Sequence, residues 1–271
     1  MTETMTPGLG ASAEIELRGV SKTFRGTASG DVPVLDNVDF RAAPGEFVSV
    51  IGPSGCGKST LFRLIAGLDV ADEGDAELNG EPLDPTDHPV AYMPQKDLLL
   101  PWRSVMRNVT LPLEVNGVKR AEAAARATEL FPLFGLKGFE KAYPYALSGG
   151  MRQRAALMRT VIQERPLMLL DEPFGALDSL TRTEMQEFLL DVWAQFGHTI
   201  IFITHDIREA IYLSDRIYVM TARPAQVRMV VEVDIPRPRP LDVIATPRFG
   251  ELEAGLIHAL REENQQQEAS R

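Results

Sequence analysis

Three stretches of this chain are apolar almost without interruption: Phe47–Ile51, residues 167–170 and residues 199–204. Short runs rich in Val, Ile and Leu predict strands buried on both faces, because a half-buried strand would alternate. Alternation does occur elsewhere. Residues 14–24 and 34–40 place apolar side chains at every second position, as half-buried antiparallel strands do, with a flexible turn over 26–30 between them. Arg216–Met220 and residues 227–235 predict two later strands.

The stretch 96–162 has a different rhythm. Its apolar positions follow helical spacing, clearest over 119–134, and no run in it reads as a strand. It predicts a helical insertion into an α/β core. Within it, Ser148 is a favourable N-cap for a helix over 151–163. Further on, residues 236–240 alternate proline with arginine and predict an extended linker. Residues 248–263 predict a final helix, followed by a frayed glutamine-rich end. The chain thus divides into a disordered tail over 1–13, a domain over 14–235 with the helical subdomain at 96–162, and a linker, helix and tail over 236–271.

Each buried run ends in candidate chemistry. After the first come Gly52, Pro53, Ser54, Gly55, Cys56, Gly57, Lys58, Ser59 and Thr60; after the second, Asp171 and Glu172; after the third, His205. Open α/β sheets bind ligands beyond the carboxyl ends of their strands, so one site served by three strand ends is predicted. The first group fits the P-loop pattern, with a strand before it and a helix start after it. Glycines let successive backbone N–H groups face one anion, and the helix start adds unpaired donors and the positive end of its dipole. Lys58 supplies a point charge for β and γ phosphates, and the Ser59 hydroxyl is placed for Mg²⁺. Asp171, at a buried strand end, is costly unless a cation needs it. Taken alone, Asp171 and Glu172 are equally a polar strand end, and His205 an ordinary strand-end histidine.

Composition narrows the choices. Among 271 residues the formal net charge is −10, which disfavours a nucleic-acid binder, whose affinity is mostly cationic. The single cysteine, Cys56, excludes an internal disulfide and suits a reducing compartment. No segment approaches the roughly 18 consecutive apolar residues of a membrane span, and the N-terminus lacks the features of a signal peptide. His88, His198 and His258 have no companions at ligand spacing, so no zinc is expected and Mg²⁺ is the only metal implied.

A second anion site is predicted at Ser148, Gly149 and Gly150. Two glycines directly after a cap weaken a helix start, and Arg152 and Arg154 in its first turn oppose the dipole. Local rules broken together point to function. The run from Leu147 to Arg154 resembles the signature of ATP-binding cassette (ABC) ATPases, and the rest of that family's set follows in order. Phe24 resembles the aromatic that stacks on adenine. Gln95 stands where the family has its lid glutamine. Residues 167–172 resemble the Walker B strand with its glutamate, residues 175–178 the D-loop with Asp178, and residues 204–206 the switch histidine. The resemblance covers about 14–235 and implies a P-loop NTPase (RecA-like) core with an antiparallel β subdomain and a helical insertion, the ABC ATPase fold.

By that resemblance Asp171 orients Mg²⁺, Glu172 is the general base, His205 holds the γ-phosphate, and Gln95 contacts metal and water. The cofactors implied are ATP and Mg²⁺. The signature of one copy completes the P-loop site of another, so a head-to-tail pair with Asp178 at its seam is implied. The resemblance also implies integral membrane permease subunits, a solute-binding protein, and a peripheral place on the cytoplasmic face of the membrane. Residues 98–100 and Trp102, with Asn108 after them, look most like importers of the nitrate, sulfonate and taurine type. There the apolar residues either dock on a membrane subunit or pack the helical insertion. The sequence ends soon after the core, so the regulatory domain of sugar-importer ATPases is not expected. Export or lipoprotein extraction is the main alternative. A chromosome-maintenance ATPase lacks support, since no sustained heptads lie between Gln95 and Ser148. A small-molecule kinase has no need of the signature.

Overall fold

The computed structural model describes residues 12–27, 30–84 and 90–269. In chain order the elements are β1 (Ile15–Thr27), β2 (Gly30–Ala42), β3 (Phe47–Ile51), α1 (Lys58–Ile65), β4 (Glu73–Leu78), β5 (Glu81–Pro82), β6 (Val90–Met93), α2 (Val105–Val109), α3 (Leu111–Val115), α4 (Arg120–Leu133), α5 (Gly149–Val161), β7 (Leu167–Asp171), α6 (Ser179–Phe196), β8 (Thr199–Ile203), α7 (Ile207–Leu213), β9 (Arg216–Met220), β10 (Val227–Glu232) and α8 (Pro247–Ala269). Most of the predicted tail, His88, part of the turn at 26–30 and the last two residues lie outside the described residues. Contacts divide the chain into two units, one made of Ala13–Val90 with the chain from Thr199 onward, the other of Ala91–His198.

In the first unit β1 and β2 pair antiparallel, and their register slips between Leu17 and Val20. That bulge keeps Ile15, Leu17 and Val20 all facing the core although their spacing changes from two to three. β4 pairs with the other side of β1 and carries β5, giving a four-stranded sheet in the order β2-β1-β4-β5. Strands β10, β9, β3 and β8 lie side by side in a second sheet, with β3 parallel to both β8 and β9. Every residue of β3 and β8 is buried, as their unbroken apolar runs require. Phe40 of β2 meets Tyr218 of β9 with ring centroids 4.5 Å apart, and the Tyr218 hydroxyl donates to Arg41 O at 2.9 Å. A fully buried phenylalanine contributes about 2–3 kcal/mol from burial alone, so Phe40, Phe47 and Phe202 hold the two sheets of this unit firmly.

The second unit holds β6 next to β7, together with helices α2 to α6. No strand forms between β6 and β7 among the described residues, and the helical stretch predicted over 96–162 lies here. Ala123, Ala127 and Phe131 line one face of α4, and Phe134 beyond it meets Phe188 of α6 edge-on at 5.3 Å.

Candidate active site

In the first unit the chain leaves β3 at Ile51, turns through Gly52 to Gly57 and enters α1. No side chain caps α1. Its N-cap is Gly57 at φ 135, and a Cβ there would stand 2.9 Å from Val34 Cγ1. Only glycine fits, and it leaves the helix start open to a ligand. The buried Lys58 ammonium donates to Gly52 O at 2.8 Å and Pro53 O at 3.0 Å. Among the described residues no carboxylate pairs with it. The ammonium also donates to Cys56 Sγ at 3.9 Å. A buried cation held by neutral acceptors alone is costly until an anion arrives, so this loop fits a polyphosphate. Cys56 is buried against the same turn, and burial pushes its thiol up, which keeps it neutral. Ser59 is exposed and Thr60 half-buried at the start of α1. Pro53 and Ser54 form the bend of the loop, with Cys56 N donating to Pro53 O at 3.2 Å.

Phe24 lies half-exposed on β1 beside a shallow depression lined by Lys22, Thr23, Arg25, Asp69 and Asp72. The Lys22 ammonium sits 5.8 Å from its ring centroid. His205 follows β8 and is exposed. The turn that carries it is closed by side chains. The Thr204 hydroxyl donates to Glu209 Oε2 and accepts from Asp206 N at 3.0 Å. Asp206 then caps α7, accepting from Arg208 N at 2.9 Å and Glu209 N at 3.2 Å.

In the second unit Asp171 ends β7, buried, with the Tyr92 hydroxyl donating to its Oδ2 at 3.2 Å. Glu172 stands in the left-handed region at φ 43, an uncommon conformation for a residue with a side chain. Gln95 Nε2 donates to Glu172 Oε2 at 3.1 Å, so the predicted base and the predicted lid glutamine are brought together. Tyr92 was missed by the sequence reading. Its signal was its place in the strand leading to Gln95.

Ser148 caps α5, accepting from Met151 N at 3.2 Å. Gly149 and Gly150 open the helix, and a Cβ on Gly150 would stand 2.8 Å from Thr181 Cγ2 of α6. The two arginines of the first turn are accommodated locally. Arg152 folds back onto Leu147 O at 2.9 Å and Asp97 Oδ2 at 3.3 Å, while Arg154 lies 4.8 Å over the Phe188 ring. Asp178 caps α6, accepting from Thr181 N at 3.1 Å, and that N–H holds its carboxyl below the usual range. Of the apolar residues after Gln95, Leu98 is 56% exposed and Trp102 72%, whereas Leu99 is buried. Arg159 of α5 holds this loop by donating to Asp97 O at 2.5 Å and Leu98 O at 2.8 Å, and the buried Asn108 bonds Leu100, Arg103 and Ser104.

Residues 35–175 match the family described as ABC transporter. Over 250 residues, 92% of each chain, the sequence is 40% identical to an uncharacterized ABC transporter ATP-binding protein of Methanocaldococcus jannaschii. It is 44% identical over 225 residues to the aliphatic sulfonates import ATP-binding protein of Bacillus cereus, covering 83% of this chain and 88% of that one. The formylaminopyrimidine import ATP-binding protein of Halalkalibacterium halodurans is also 44% identical, over 77% of this chain and 80% of its own length. Among solved structures, a dimeric ATP-binding cassette in a post-hydrolysis state bound to ADP and Pi superposes with a TM-score of 0.70 at 30% identity, over 82% of this chain and 100% of that chain.

Proposed function

The chain belongs to the ABC transporter family of ATP-binding subunits and hydrolyses ATP, and from that premise we propose that it powers an importer of small organic anions of the aliphatic-sulfonate type. The observation that carries this reading is the 44% identity over 225 residues to a sulfonate import ATP-binding protein. Two copies pair head to tail on the cytoplasmic face of the membrane and act on separate permease subunits served by a solute-binding protein. The dimeric state of the related solved cassettes supports the pairing. Among the described residues no helix is long and apolar enough to cross a membrane, and in this reading the separate permease subunits supply the path for the solute.

The roles follow from the chemistry each group offers. The N–H groups of Gly52 to Thr60 and the Lys58 ammonium hold the phosphates, and Phe24 stacks on the base. A Mg²⁺ ion bound with the nucleotide would supply charge neutralisation to the phosphates. Ser59, Asp171 and Gln95 supply the hard oxygen donors that such an ion prefers. Glu172 accepts the proton of the attacking water, Gln95 orients its carboxylate, and His205 holds the γ-phosphate. Ser148, Gly149 and Gly150, with Asp178, complete the site of the other copy.

Reconstitution in vesicles with the membrane subunits that co-purify with the chain tests the reading. Expected are ATP hydrolysis stimulated by the loaded solute-binding protein and uptake of a labelled alkanesulfonate. Hydrolysis without stimulation or uptake refutes it. The equal identity to a formylaminopyrimidine import protein favours that cargo as the second choice, and uptake of the labelled pyrimidine but not the sulfonate selects it. A specific hydrolysis rate unchanged on dilution far below the dimer dissociation constant removes the shared site.

A further inference from the structure

The segment predicted as an extended linker, residues 236–240, is fastened to the first unit by its two arginines, and the place where they fasten is informative. α7 has seven residues, Ile207–Leu213, far too few to persist alone, so its ends must be closed from outside. The carbonyl of Ala210 accepts from Ser214 N at 3.1 Å. The next four carbonyls go to the strap. Arg239 Nη1 donates to Ile211 O at 3.0 Å, Tyr212 O at 3.1 Å and Ser214 O at 2.6 Å, and Arg237 Nη2 donates to Leu213 O at 2.6 Å. The remaining donors of Arg239 close the strap on itself, through Ile235 O at 3.1 Å and Val233 O at 3.3 Å. In return the Tyr212 hydroxyl donates to Arg239 O at 3.2 Å.

The Arg239 side chain is 1% exposed, and its nearest carboxylate, Asp215, stands 4.0 Å away and is engaged by Arg237 Nε at 2.7 Å. Burial, then the neighbouring Arg237, push the guanidinium down to about 10, so it remains a cation at neutral pH. An apolar side chain would fill this space at lower cost. What it would not do is close the negative end of a short helix. The other end of that helix is the Asp206 cap, locked through Glu209 and Thr204, and His205 lies between Thr204 and Asp206. One end of the His205 turn is thus set by β8 and the other by a helix whose far end the strap holds.

We propose that Arg239, assisted by Arg237, is a positioning residue for ATP hydrolysis, fixing α7 and through it the turn that presents His205 to the nucleotide. The inference rests on the assignment of His205 to the γ-phosphate. The C-terminal strap is then a working part of the catalytic unit, and displacing it lowers turnover without loosening ATP.

A double-mutant cycle with Arg239→Met and His205→Ala tests this, with kcat and KM for ATP measured beside the affinity for a fluorescent ATP analogue. Arg239→Met is expected to lower kcat on the order of ten-fold while KM and analogue affinity stay within about two-fold, because a displaced group costs rate before binding. In the His205→Ala background the same substitution should change the rate less than about two-fold, since its effect passes through the missing imidazole. Arg239→Lys, which keeps a cation but loses the fork, should fall between. Equal losses in both backgrounds overturn the inference and leave Arg239 a plain stabiliser. Wild-type turnover in His205→Ala overturns instead the assignment of His205, and the inference with it. If Arg239→Met does not fold, Arg237→Ala on the more exposed arginine replaces it in the cycle, with a loss of about three-fold expected only when His205 is present.

Discussion

Gly150→Ala sets two forces of similar size against each other. Alanine is better than glycine inside a helix by about 1 kcal/mol, and α5 begins at Gly149, so propensity alone predicts stabilisation. The packing predicts the reverse. A Cβ at 150 would stand 2.8 Å from Thr181 Cγ2, shorter than any ordinary carbon–carbon contact. Thr181 yields poorly, because it lies in the first turn of α6 with its N–H bonded to Asp178, and its β-branch restricts rotation. Relieving an overlap of this kind costs about 1–3 kcal/mol, so the net expectation is a loss of up to about 2 kcal/mol. Denaturant unfolding measures it, with the slope checked for constancy. The sign should invert in a Thr181→Ser background, which keeps the hydroxyl and removes the offending methyl. There Gly150→Ala should stabilise by roughly 0.5–1 kcal/mol. Stabilisation in the wild-type background would show that α5 and α6 do not approach closely at this point, and the reasoning fails.

Lys58→Ala should abolish tight ATP binding, measured by a fluorescent analogue; near-normal affinity refutes the role read from its buried ammonium, which bonds only neutral acceptors. Glu172→Gln should keep binding yet lower turnover by about 10²–10⁴-fold and leave an ATP-stabilised dimer visible by gel filtration; full activity removes Glu172 as the base. Trp102→Ala, at an exposed position, should leave basal hydrolysis intact and weaken stimulation by the membrane subunit; equal stimulation counts against docking there. His198 is buried, with Nδ1 unpartnered, and burial pushes its pKa below the ordinary 6.5. Below pH 6.5 the unfolded chain takes up this proton first, so stability declines as pH falls from 6.5 towards the folded value and the contribution levels off beneath it. His198→Phe should flatten that part of the stability–pH curve, and an unchanged slope refutes it.

The strands that sequence reveals and those it hides differ in what they bury. β3, β7 and β8 are covered on both faces, so every position must be apolar and the run announces itself. β4 buries little, and its residues Glu73 to Leu78 are mostly acidic or small, so no period shows. The clue lay in Asn79 and Gly80, which turn β4 into β5 with φ of 54 and 78. An Asn–Gly pair is a strong hairpin signal by backbone geometry alone. Likewise the proline–arginine alternation of 236–240 predicts extended backbone but not its anchoring. The carbonyls that receive Arg239 belong to Ile211, Tyr212, Ser214, Val233 and Ile235, and only the folded chain brings them together.

At the signature the sequence departs from good helix design in two ways, with two glycines and two arginines near the helix start, and the structure sorts them. The arginines are not directed at an anion by necessity. Arg152 is satisfied by Leu147 and Asp97, and Arg154 by the face of Phe188, so the dipole they oppose is offset by neighbours. A charge pattern that looks functional in one dimension can therefore be ordinary packing in three. The glycines are different. Gly150 is required by the close approach of Thr181, and together with Gly149 it leaves the first two positions of α5 without side chains. Among the described residues the Ser148 hydroxyl answers only Met151 N at this helix start, whereas both arginines have partners of their own. In the shared site proposed above, it is the backbone N–H groups of Gly149 and Gly150, not the arginines, that a phosphate from another molecule would meet.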